Sequence, residues 1–329
     1  MATANLPGEA GLRVPPAEPT QAQLWLRSLR APFLIASIIP ASLGIVLAFQ
    51  ETGSFDAGLA LLTLVGVASF QLATNMLNDN FDFRSGNDQA VEHQNPFAGG
   101  GRVLTTGRIS LKAHMALALG FLALGTLLGL LIFFAIGGLS TESGRTLLFI
   151  GLLGSGAAVF YVGPPLKLAY RGLGEVVVGT CFGPLVVMGA YVTQVGRVSN
   201  SATILSVAMG LLIAAILWIN EFPDLKADLS VGKRTAMARA GPQRSLRVYE
   251  AMLAGAFACL PIAVVFASAP PSALIALLAA PLAAKVAKAA RANYGDPHAL
   301  IPANGGTILL AVVFGALVIG GVGLATLLG

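Results

Sequence analysis

Nine apolar runs decide what this chain can fold into: residues 33–49, 57–77, 113–139, 146–162, 176–195, 202–219, 251–269, 273–290 and 305–328. A bilayer core takes ~20 residues of helix per crossing. At 56% hydrophobic and 11% charged, the chain has less than half the charge of an ordinary soluble domain, about a quarter of whose residues are charged. The expectation is an all-α polytopic membrane protein, a bundle of nine transmembrane helices. Pro40, Pro184, Pro261 and Pro281 fall inside the runs, which neighbouring helices tolerate by taking up freed carbonyls. No polar segment is long enough to fold alone, so residues 21–329 form one domain. Residues 1–20 carry Pro, Gly and Glu without periodicity and are expected to be a disordered tail. They lack the apolar core of a signal peptide.

The basic residues set the orientation. With the N-terminus inside, 18 of the 20 Lys and Arg residues fall in cytoplasmic segments, leaving only Arg145 and Arg197 outside. That asymmetry follows the positive-inside rule, requires an odd number of spans, and puts the C-terminus outside. It also accounts for the net charge of +5 without a nucleic-acid partner, and no protein partner is indicated. Two cytoplasmic loops are long, roughly 30 residues each, beyond what a simple connection needs.

Both long loops open on acids. Asn78-Asp79-Asn80-Phe81-Asp82-Phe83-Arg84-Ser85-Gly86-Asn87-Asp88 follows the second run, and Asn220-Glu221-Phe222-Pro223-Asp224-Leu225-Lys226-Ala227-Asp228 follows the sixth. Together these windows hold 6 of the 15 acids. Gln71, Asn75, Asn78, Asp79 and Asp82 share one helical face. A polar stripe in a membrane helix is costly unless it lines a wet cavity. Both clusters sit at helix C-termini, where the macrodipole already contributes about −0.5 charge, so they need cations. Oxygen ligands of this kind suit Mg²⁺ or Mn²⁺, bound through one or two carboxylates plus substrate phosphates. The competing reading is a pair of solvated helix ends, or salt bridges to Arg84, Lys226, Lys233 and Arg234; the duplication argues against it. Pro223 is expected to end the sixth helix near Glu221, leaving the second cluster partly in a loop.

Basic residues follow each cluster. The glycine run at 99–101 leads into Arg102, and Gly232 into Lys233 and Arg234; backbone N–H groups and cations together suit an anion. Lys167, after the fourth run, could reach a phosphate or simply anchor the helix. No nucleotide-binding glycine motif is present, and His93, His114 and His298 lack zinc spacing. Cys181 and Cys259 lie in apolar runs and read as buried hydrophobes.

At these residues the chain resembles the UbiA superfamily of intramembrane aromatic prenyltransferases. The resemblance covers nearly the whole length, through the spans, the two acidic stretches and Tyr161-Val162-Gly163-Pro164-Pro165-Leu166-Lys167. Within the superfamily, Asn78-Asp79-x-x-Asp82 with Asp88, Arg102 in its glycine run, and Asn220 to Arg234 are most similar to the MenA-type branch, which prenylates 1,4-dihydroxy-2-naphthoate for menaquinone. A common family form carries its last acid where this chain has Gly86; here it comes at Asp88.

The resemblance implies a metal site of Asn78, Asp79, Asp82, Asp88, Asn220, Glu221, Asp224 and Asp228, with Asp79, Asp82, Asp224 and Asp228 catalytic. It implies a prenyl diphosphate held by Arg84, Arg102, Lys167, Lys233 and Arg234. Phe81, Tyr161, Trp218 and Phe222 would face the carbocation, and Gln71 and Asn75 the aromatic acceptor. The membrane is expected to be a cell membrane of bacterial or archaeal type. Rival acceptors within the superfamily are 4-hydroxybenzoate, geranylgeranylglyceryl phosphate, haem and chlorophyllide. A transporter is disfavoured because no charged residue lies mid-span and the motif repeats in the same orientation.

Overall fold

The computed structural model describes residues 19–91, 97 and 103–328. All but the last two residues of the expected tail lie outside them. Among the described residues the regular structure is helical, without strands. Among the described residues, nine helical segments are long and apolar enough to cross a membrane, as the hydropathy pattern predicts.

A capping box at Thr20 starts α1 (Gln21–Leu29), which ends on Arg30 in the left-handed region. α2 (Ile35–Thr52) then carries Pro40 without breaking. Asp56 caps α3 (Ala57–Ser85) by accepting from the Leu59 N–H at 2.9 Å. Gly86, at φ 82°, ends α3 and turns the chain into the single helical turn α4 (Asn87–Ala90). Ser110 caps α5 (Leu111–Ala135) and Thr141 caps α6 (Glu142–Phe160). The fifth span is compound: α7 (Gly174–Thr180), a π-turn over Cys181–Leu185, and α8 (Val186–Val195). Ser199 caps α9 (Asn200–Ser230), followed by the short α10 (Ala236–Ala240) and α11 (Pro242–Ala267). A 3₁₀ stretch, Pro271–Ala279, leads into α12 (Ala280–Asn293), and α13 (Ile301–Leu328) closes the bundle.

α9 is the axis of the core. Two thirds of its apolar window is buried (67%), against 11–44% for the other spans. The contact it makes with the π-turn explains two glycines. A Cβ on Gly210 would lie 2.4 Å from the Gly179 carbonyl oxygen, and one on Gly183 would lie 2.5 Å from the Ser206 carbonyl oxygen. Membrane helices gain contact area by close backbone approach at small residues, since lipid offers no hydrophobic drive between them.

At the end of α3 remote from the acids, Glu51 ties three elements together. Its carboxylate accepts from Tyr191 Oη at 2.5 Å and from Ser199 Oγ and Ser201 Oγ at 2.6 Å each. Arg197 stands 3.7 Å away.

α9 runs unbroken through Pro223 to Ser230. The expectation that the second cluster is partly loop is therefore corrected, and both acid sets sit on helical turns.

If close approach at Gly210 holds α9 in place, Gly210→Leu should destabilise the bundle by about 1–3 kcal/mol. Thermal unfolding of the purified variant in detergent measures this, with an unshifted midpoint as the contrary result.

Candidate active site

α3 and α9 bring their acidic ends to one cavity of about 510 Å³. Asn78, Asp82 and Asp88 line it from the α3–α4 side, and Asn220, Glu221, Asp224 and Asp228 from α9. All the acids of both motifs are buried except Asp224, which is partly exposed. Asp79 is buried beside the cavity without being part of its lining.

The Gly86 turn explains the late acid. With Gly86 as a left-handed cap, Asn87 and Asp88 fold back beneath α3. Asn87 Nδ2 donates to Asp228 Oδ1 at 2.8 Å, joining the two motifs directly. Asn78 Nδ2 donates to Asp82 Oδ2 at 2.9 Å, while the buried Asp82 Oδ1 accepts from no donor among the described residues.

Among the described residues, Lys233 and Arg30 pair with acids of the two motifs. Lys233 Nζ stands 3.2 Å from Asp228 Oδ1. Its turn is built by Gly232 at φ 75°, by the Lys233 N–H donating to the Asp228 carbonyl at 2.8 Å, and by buried Glu175. Glu175 Oε1 accepts from the Ala236 and Met237 N–H groups at 2.9 and 3.3 Å. Burial alone would lower the Lys233 pKa, but the Asp82 and Asp228 carboxylates outweigh it and hold the ammonium well above the usual lysine range. Arg30 Nη1 lies 3.5 Å from Asp79 Oδ1, and its guanidinium covers the Phe33 ring at 4.8 Å. Arg30 and Asn87 are site residues that the sequence reading passed over.

The remaining expected residues divide. Gln71, Asn75 and Tyr161 line the cavity, with Gln71 Nε2 donating to Asn75 Oδ1 at 3.1 Å. Trp218 does not line the cavity; its indole N–H donates to the Ser245 carbonyl at 2.9 Å within the core. Phe81 and Phe222 are also absent from the lining, and Phe222 packs edge-on against Tyr294. Phe33, Phe70, Phe97, Phe133 and Phe182 supply the rings instead. Arg84, Lys167 and Arg234 are exposed and outside the lining, with Lys167 lying 5.3 Å over the Tyr170 ring. Arg102 falls outside the described residues.

Beyond the acids the cavity becomes an apolar slot among α3, α5, α6 and the compound span, past Phe133, Leu147, Leu148, Phe182 and Leu185. Gly129, Gly151 and Gly154 line it, and a Cβ on any of them would meet nothing within 4 Å. They widen the slot and serve no close contact.

The donor set fits a hard divalent cation. It is all oxygen and amide, and Asp82 keeps one buried carboxylate oxygen without a hydrogen-bond donor among the described residues. Among the described residues no three carboxylate, imidazole or thiol groups already surround one point. Mg²⁺ is commonly held by one or two carboxylates with phosphate oxygens completing its shell, and that pattern suits two separate walls.

Removing the lysine should expose what it balances. Lys233→Ala leaves Asp228 and Asp82 without their nearest cation, an expected loss of about 3–5 kcal/mol. Added Mg²⁺ should recover part of it, read as a larger metal-induced shift in unfolding temperature than the parent protein shows. Because the Lys233 pKa is raised, its stabilisation is fully present below the ordinary lysine pKa and is lost only as pH climbs through the raised value.

The UbiA prenyltransferase family model matches residues 37–304. A 1,4-dihydroxy-2-naphthoate octaprenyltransferase of Mycobacterium tuberculosis is 32% identical over 261 residues, covering 79% of this chain and 84% of that protein. The Escherichia coli protein of the same name is 30% identical over 292 residues, 86% and 89% of the two chains. A 2-carboxy-1,4-naphthoquinone phytyltransferase of Synechocystis is 26% identical over 294 residues, 88% and 90% of the two chains. Among solved structures, a UbiA homologue from Archaeoglobus fulgidus bound to DMAPP and Mg²⁺ superposes with TM-score 0.62 at 16% identity, covering 90% of this chain and 99% of that one. With the family model spanning most of its length, this chain belongs to the UbiA prenyltransferase family and is an intramembrane prenyltransferase.

Proposed function

We propose that the chain transfers a polyprenyl group from a prenyl diphosphate to 1,4-dihydroxy-2-naphthoate, with Mg²⁺ or Mn²⁺, in menaquinone formation. The observation that carries this reading is the single cavity whose acid-lined end continues into an apolar slot. A diphosphate needs the first environment and an isoprenoid the second. The names of the relatives support the acceptor.

Asp82, Asp88, Asp224 and Asp228 would hold the metal, with Asp79 supporting them from behind the lining. When bound, Mg²⁺ supplies a Lewis acid that offsets charge on the leaving diphosphate. Lys233 adds a fixed positive charge beside the same oxygens, and Arg30 a second one at the neighbouring wall. The allylic C–O bond breaks with its electron pair going to the diphosphate. Phe33, Phe70 and Tyr161 offer ring faces to the carbocation, and the apolar slot keeps water from it. The acceptor's carboxyl-bearing ring carbon then bonds to the allylic carbon; its carboxylate leaves as CO₂, and that bond's electrons return to the ring. Gln71 and Asn75 orient the acceptor's polar substituents from the α3 wall. The distribution of Lys and Arg supports a cytoplasmic acidic end and N-terminus, with the C-terminus outside.

Purified protein given a radiolabelled prenyl diphosphate should prenylate dihydroxynaphthoate and stop in EDTA. Asp82→Asn and Asp224→Asn should each lower turnover by about a hundredfold or more while the unfolding midpoint stays near that of the parent. Full turnover in EDTA would remove the metal from the reaction. Equal turnover with 4-hydroxybenzoate would reassign the acceptor.

A further inference from the structure

Pro223 sits within α9, between the acids of the second motif. Proline has no N–H for the carbonyl four residues earlier, here that of Ile219. Asn304, fully buried on α13, supplies the missing donor: its Nδ2 donates to the Ile219 carbonyl at 3.0 Å. The same nitrogen donates to Asn220 Oδ1 at 2.7 Å.

An amide nitrogen only donates and a main-chain carbonyl only accepts. Ile219 therefore fixes which end of Asn304 faces α9, and Asn304 in turn fixes Asn220. The usual ambiguity between amide oxygen and nitrogen is removed by the anchor on the backbone. Asn220 must turn its oxygen to Asn304. Its Nδ2 takes no part in the Asn304 contact, and Asn220 itself lines the cavity. Asn78, which opens the first motif, is turned the other way. It spends Nδ2 on the Asp82 carboxylate, leaving Oδ1 outside that bond, and it also lines the cavity.

We propose that the two asparagines play opposite parts: Asn78 offers an oxygen to the cation, whereas Asn220 donates an N–H to the substrate's diphosphate, held in that orientation by Asn304 as a positioning residue. The proposal rests on the prenyl diphosphate reading above and reassigns Asn220 from the metal set. It gives the acid-rich α9 wall a neutral donor, so a diphosphate oxygen can approach between Glu221 and Asp224 without meeting only like charge.

Two probes on the full chain in detergent separate these parts: Mn²⁺ alone, titrated by electron paramagnetic resonance, and inorganic pyrophosphate at fixed Mg²⁺, by calorimetry. Asn220→Asp keeps an oxygen for Asn304 but loses the N–H. It should weaken pyrophosphate binding about tenfold or more without weakening Mn²⁺. Pyrophosphate binding at or above the parent level in that variant overturns the donor assignment, as does a parent protein that holds no pyrophosphate. Asn304→Ala should lose pyrophosphate binding similarly while keeping Mn²⁺. Pro223→Ala restores an N–H to Ile219, so the Asn304→Ala/Pro223→Ala pair isolates the hold on Asn220. Continued weak binding in the pair supports positioning; return to the parent level shows that Asn304 only repairs the helix and overturns it. A parent protein that binds pyrophosphate but transfers no prenyl group would count against the proposed reaction alone.

Discussion

The structure depends on placing acids where a membrane bundle least tolerates them. Five of the six motif carboxyl groups are buried, at helix ends that already carry partial negative charge. A buried ion costs several kcal/mol unless paired. The described ion pairs bring Arg30 to Asp79 and Lys233 to Asp228, so part of that cost is met inside the protein. On the proposed reaction a divalent cation would meet more of it, and the anionic group it carries would then need Lys233 and neutral donors.

Much of this was legible from residue order, and so was some of what went wrong. The apolar runs gave the spans, and the duplicated acids gave the two walls of the cavity. Helical phase could also have sorted the basic residues. Arg84 follows Asp82 by two positions and Lys226 follows Asp224 by two, about 200° around a helix, so both face away from the acids beside them; both are exposed. Lys233 lies past the helix end, where phase says nothing, and only the Gly232 turn brings it over Asp228. Arg30 and Asn304 are separated from their partners by long stretches of chain, and in the sequence they look like a flanking cation and a polar residue in an apolar run. Trp218 lies at the right height on α9 but on its core face.

Pro223 shows why a local rule failed. Read alone, a proline amid acids ends a helix. The rule assumes that the freed carbonyl has no other donor. Asn304 provides one to the Ile219 carbonyl from 85 positions away in the chain, and α9 continues past Asp228. Had α9 stopped near Glu221, Asp228 would have lost the helical register that places it against Asn87 and Lys233.

The two acidic motifs therefore share a sequence pattern without sharing a structure. α3 stops at Gly86 and reaches the centre through a reversed turn carrying Asn87 and Asp88; α9 reaches it by going straight on. They meet where Asn87 donates to Asp228. A symmetric clamp would present the same groups from both sides, suited to a symmetric ligand. A metal bound to a diphosphate is not symmetric, because its ends differ in sign. On the proposed assignment Asn78 would offer oxygen and Asn220 nitrogen, the opposite orientations that such a pair would need.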